Sequence, residues 1–190
     1  MSPILTGVIA SGISGNLTPP WSPQGGYDAL NAVTLSTSAA SITFSNIPAN
    51  YKHLQIRWMA RSTDSSQNTL FARMNGFSSS YAHHLIYGGA AEGIGSEVGF
   101  PSDSFFLGSI SNANRAANCF STGVADILDY SSTSKQKVVR SISGRDDNTN
   151  GIVIVSSSGY FGGTQAIESL TLTTTGNLTA NSHFALYGIR

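Results

Sequence analysis

The residues Asp146-Asp147-Asn148-Thr149-Asn150-Gly151 put side-chain oxygens at alternate positions and a glycine at the sixth, which is how a calcium-binding loop opens. Such a loop needs a bidentate glutamate at its twelfth position, and that place holds Ser157. Asx and glycine residues between two strands are also what a tight turn selects. A turn is therefore the first expectation, with Asp146, Asn148 and Asn150 as a weak candidate metal site. No cofactor is implied.

Other chemistry is sparser. His83 and His84 are adjacent, so on a strand their rings point to opposite faces and cannot share one metal. His53 and His183 are isolated in sequence. Asp126 and Asp129 stand at odd separation, which puts them on opposite faces of a strand and argues against a joint acid–base pair. Arg140, Lys135 or a turn backbone are their expected partners. Cys119 is the single cysteine, so no disulfide can form within the chain. It has no basic neighbour and reads as a buried small hydrophobe. There is no Gly-x-Ser-x-Gly elbow. An enzyme is not expected.

Aromatic rings are the remaining candidates, because a flat exposed ring stacks on a sugar. Trp58, Tyr81, Tyr87 and Tyr130 sit in apolar surroundings that suit a core. Tyr160-Phe161 precede Gly162-Gly163 in a Gly/Ser-rich stretch and are the expected exposed pair, a possible glycan contact.

The elements that would carry these residues are strands. Leu54, Ile56 and Trp58 alternate with Gln55, Arg57 and Met59, the period of a half-buried strand. Strand-like runs recur from about residue 30, with Asn75-Gly76 as the strongest hairpin signal. Residues 131–134 read as the loop of a second hairpin, and residues 88–102 as a long surface loop. Ile152-Val153-Ile154-Val155 is continuously apolar and β-branched, as a central strand is. In the last strand, Phe184, Leu186 and Gly188 oppose Ala185, Tyr187 and Ile189, so both faces call for cover. About ten strands and no amphipathic helix predict an all-β fold, an antiparallel, jelly-roll-like β-sandwich over residues 30–190.

Residues 1–29 differ. Ile4, Leu5, Val8, Ile9 and Ile13 are spaced by glycine and serine, and Pro19, Pro20, Trp21 and Pro23 follow. The prolines favour an extended course without ladder hydrogen bonds. The segment reads as an N-terminal arm that docks on another subunit; folding back on its own domain is the alternative.

Composition narrows the partners. Charged residues are 11% of the chain, and Lys+Arg 10 balance Asp+Glu 10. That balance disfavours nucleic acid, which needs a concentrated basic face. No apolar run reaches membrane-spanning length, so membrane insertion is not expected. The Met1-Ser2-Pro3-Ile4 opening lacks a basic region, so synthesis in a cytoplasm without secretion is the expectation. Neutral, Ser/Thr-rich surfaces pack well in symmetric assemblies.

Several segments together resemble a family of small virion proteins of tailed bacteriophages, of the kind found in cyanophages and marine phages. They are residues 41–57 (SITFSNIPANYKHLQIR), Asp126–Tyr130, Lys137–Ser143, Ala166–Leu172 and Phe184–Ile189, with residues 4–15 resembling an attachment leader. The resemblance covers most of the chain but consists largely of β-sandwich core, which specifies fold better than task. It implies a non-enzymatic virion protein, assembled in the host cytoplasm and bound to other phage virion proteins. A tail fibre or baseplate appendage is the first expectation, a homo-oligomer with a trimer favoured, contacting a host-surface glycan. A head decoration protein that cements the capsid is the second. A free carbohydrate-binding module is an alternative from another class.

Overall fold

A computed structural model describes residues 26–66, 69–90, 93–146, 151–160 and 162–190. Its elements are β1 (Tyr27–Thr34), β2 (Ala39–Phe44), β3 (His53–Ala60), β4 (Thr69–Met74), β5 (Tyr81–Gly89) and β6 (Gly93–Ser102). After these come β7 (Phe105–Ser109), β8 (Ser121–Leu128), β9 (Lys137–Arg145), β10 (Ile152–Tyr160), β11 (Leu170–Leu178) and β12 (His183–Ile189). No helix occurs among the described residues.

The strands form two antiparallel sheets, ordered β1-β12-β3-β8-β9-β10-β5-β6 and β2-β11-β4-β7. The fold is all-β, a sandwich of unequal sheets. Period-two alternation explains the core between them. The large sheet turns inward Leu54, Ile56 and Trp58 from β3, Ala125 and Ile127 from β8, and Phe184 and Leu186 from β12. The small sheet answers with Phe44, Leu70, Met74, Phe105, Leu170 and Leu172. Gly123 stands opposite Trp58 in the ladder, where an added Cβ would collide with the indole, so the glycine makes room for the largest ring of the layer.

Several expectations need correction. Asn75 and Gly76 both take positive φ, 47° and 74°, and the Phe77 amide donates to the Met74 carbonyl at 2.9 Å, so the tight turn forms. It does not close a hairpin. β4 pairs with β11 and β7, whereas β5 pairs with β10 and β6, and the turn carries the chain from one sheet to the other. Residues 88–102, read as a loop, contain the end of β5 and all of β6, an edge strand whose glycines hide its β character. The β8–β9 hairpin around residues 131–134 does form, and β10 is paired on both sides. Tyr27–Ala29, assigned to the arm, are ladder residues of β1 opposite Ile189, Gly188 and Tyr187.

Candidate functional site

The small sheet covers one face of the large sheet, and among the described residues no element covers the other, the open face. Register identifies the open face, since residues paired across a ladder share a side. One row runs Val124 (β8), Ile142 (β9) and on to Ile86 (β5), with Arg57 at its β3 end. A neighbouring row runs Tyr187, Gln55, Asp126 and Arg140, and reaches His84 and Val98. A third joins Met59, Thr122, Gly144, Val153 and Ile94 across β3, β8, β9, β10 and β6.

Among the described residues, every large hydrophobic side chain left exposed lies on this face except Phe77. Val98 is 66% exposed, Ile86 60%, Val153 52% and Ile142 49%. Single exposed hydrophobics are ordinary, but their collection on one sheet face is the mark of an interaction surface. The face is also hollowed. A groove of about 680 Å³ is lined by Ile86, Val98, Val124 and Ile142 together with His84, Asp126 and Arg140. Thr122 and Gly144 carry little side chain, and beside them a second hollow of about 450 Å³ is lined by Arg57, Val124, Ile142 and Val153.

Polar groups on the face are chained together. Arg57 Nε donates to Gln55 Oε1 at 2.7 Å, and Gln55 Nε2 donates to Asp126 Oδ1 at 2.8 Å. The Arg57 guanidinium lies over the rings of Tyr187 and Tyr27, 4.6 and 5.4 Å from their centroids. Arg140 is the ladder neighbour of Asp126, yet no ion pair joins the two. Among the described residues the exposed Arg140 side chain has no hydrogen-bond or ion-pair partner.

The residues singled out from sequence are scattered. Ile4, Leu5, Val8, Ile9, Ile13, Pro19, Pro20 and Trp21 lie outside the described residues, as do Phe161, Asn148 and Asn150; Asp146 is exposed at the end of β9. Tyr160, expected as an exposed ring, is 4% exposed. It faces the core, stacked on Phe77 at 5.5 Å and against Tyr81 at 4.8 Å, so its ring is closed to a sugar. Its position at the end of β10, paired with Lys137, turned it inward. His83 and His84 do point to opposite faces, His83 buried beside Phe106 and His84 exposed. Asp129 falls in the turn after β8, where Lys135 Nζ reaches it at 2.6 Å. That hydrogen bond, chiefly, holds its carboxyl below the usual carboxylate range. Cys119, expected to be buried, is half-buried, its Sγ 3.4 Å from Ser111 Oγ. Among the described residues no group of three His, Cys, Asp or Glu side chains could hold a metal ion.

Sequence reasoning missed the open face. Its signal was present in β10, where Ile152, Val153 and Ile154 are apolar on both sides of a strand that the described residues cover on only one. No family model matches the chain, and no curated protein or solved structure is significantly similar to it.

Proposed function

We propose that the protein is a non-enzymatic structural component of a bacteriophage particle, built to be held in an assembly by its surfaces. The observation that carries this reading is the open face of the large sheet, where the exposed large hydrophobics of the described residues collect. A chain working alone in water gains nothing from such a face, whereas a building block buries it against a neighbour. The segment resemblance supplies the kind of assembly. The chemistry of the face agrees, since it offers apolar floors and the hydrogen-bonded chain Arg57-Gln55-Asp126 rather than converging acid, base and nucleophile.

Within the particle, a tail fibre or baseplate appendage is the first placement. Head decoration is the second, and one observation favours it: with Tyr160 buried, the glycan contact loses its described ring, while a broad apolar face suits lattice packing. Immunogold electron microscopy with antibody against residues 30–190 tests the reading on intact particles. Gold at the tail supports the appendage and gold over the head supports decoration. Particles that carry no gold would overturn the virion assignment.

A further inference from the structure

We propose that the open face is a homodimer interface, in which two copies stack face to face about a two-fold axis running along the strands between β8 and β9. The inference rests on the reading of this chain as an assembly component and names its first partner, a second copy.

The placement of the axis follows from the sheet order. Four strands, β1, β12, β3 and β8, lie on one side of the β8–β9 boundary, and four, β9, β10, β5 and β6, lie on the other. A two-fold at that boundary overlays the two sheets along their full width. It sets each β8 residue over its own ladder partner in the second copy. Asp126 is paired with Arg140, Val124 with Ile142 and Leu128 with Val138. The stack therefore puts Asp126 against Arg140 of the second copy, twice by symmetry, and packs Val124 on Ile142 two residues further along the strands.

Charge complementarity makes the second copy the fitting occupant. Asp126 and Arg140 are neighbours in the middle of the sheet, yet they form no ion pair within the chain, and Arg140 has no partner among the described residues. Each can meet its opposite charge in an identical face turned over. The chain has no net charge, so long-range repulsion does not oppose the approach.

Area agrees with charge. Eight strands about 4.8 Å apart, each about 27 Å long, give a footprint of roughly 900 Å². A stable interface takes about 800 Å² from each partner. With two sheets packed about 10 Å apart, each copy's Ile142 would lie over the central hollow beside the other's Val124, and its β3 and β12 would lie over the other's groove along β10 and β5.

The test is the mass of the full 190-residue chain in solution by sedimentation velocity, across a concentration series. Twice the monomer mass is expected. Ile142→Glu puts an unpaired carboxylate into the interface and should weaken dimerisation by at least about tenfold. Asp126→Lys and Arg140→Asp should each weaken it similarly, and the double exchange should recover most of the loss. If Ile142→Glu failed to fold by circular dichroism, the two exchanges alone would decide. A wild-type chain that stays monomeric at about 100 µM, well above the range of specific association, would overturn the interface. So would an oligomer whose mass ignores these substitutions, a trimer included. Particle-bound gold with a monomeric chain would sink this interface and leave the virion reading standing. A swap-sensitive dimer without gold would do the reverse.

Discussion

The Ser169 amide donates to the Asn75 side-chain carbonyl at 3.1 Å, and the Asn75 amide donates back to the Ser169 carbonyl at 3.0 Å. The same carboxamide accepts from the Glu168 amide at 2.9 Å and donates to the Ala166 carbonyl at 2.8 Å. One turn residue thus fixes where the chain enters β11, the strand that holds the small sheet together between β2 and β4.

Asn75→Gly separates this role from backbone geometry. Glycine keeps the positive φ without strain but removes the three side-chain hydrogen bonds. Urea unfolding should show a loss of roughly 2–3 kcal/mol. Gly76→Ala meets nothing within 4 Å, so only the strain of φ +74° remains, about 1 kcal/mol. An Asn75→Gly variant as stable as wild type would mean that the carboxamide holds nothing.

Arg61 anchors a different loop. Its guanidinium donates to the carbonyls of Ala116 and Cys119 at 2.9 Å, Arg115 at 3.0 Å and Ala113 at 3.4 Å. A lysine ammonium has three donors on a point charge and cannot span that fork of carbonyls. Arg61→Lys should let the loop open and speed labelling of the half-buried Cys119 by a thiol reagent at least about tenfold, the equivalent of ~1.4 kcal/mol of local opening. An unchanged labelling rate would show that the loop holds itself.

What sequence could show depended on whether a signal was local. The β3 alternation from Leu54 to Trp58 and the β8–β9 hairpin come from neighbours in the chain, and both stand in the structure. Asn75-Gly76 announced its turn but not its destination, because which sheet receives β5 is decided by β10, some seventy residues on. β6 was hidden because Gly93, Gly95 and Gly99 carry no strand propensity. Gly99 is needed where it is: its missing Cβ leaves the space that the His83 ring occupies. The open face was harder still. Val124, Ile142 and Val153 become one surface only when β8, β9 and β10 lie side by side.

Lys137 is a buried cation, 1% exposed, whose Nζ donates to the carbonyls of Ser132 at 2.5 Å, Lys135 at 2.8 Å and Thr164 at 3.1 Å. It ties the β8–β9 loop to the segment before β11. Lys137→Met keeps the stem and strips all three carbonyls of their donor. A loss of roughly 2–4 kcal/mol is expected in urea. Stability equal to wild type would mean that relief of desolvation offsets the lost hydrogen bonds.

Alkaline pH sets two buried groups against each other. Tyr81 donates to the Phe77 carbonyl and accepts from the Met74 amide, both at 3.1 Å. Burial pushes its phenol up to about 12, from an ordinary value of 10.0. The fold thus retains a proton that the unfolded chain gives up, so this stability is complete below pH 10.0 and is lost as pH rises toward about 12. Burial likewise raises Tyr130 and Tyr160. Lys137 has the opposite sign. Desolvation lowers it from 10.5, so the unfolded chain holds the extra proton and stability gains as pH climbs to 10.5. These three phenols, together with Tyr51, raised by its hydrogen bond to Asp28, outweigh one lowered ammonium, so the urea midpoint should fall between pH 10.0 and about 12, with absorbance of the buried phenolates rising together with unfolding. Tyr81→Phe, weaker at neutral pH through its lost hydrogen bonds, should lose roughly 2–3 kcal/mol less across that window. Lys137→Met should lose more than wild type. If the wild-type phenolate signal exceeded that of Tyr81→Phe near pH 10.0 while the fold persists, Tyr81 would be ionising in place, and the burial argument would fail.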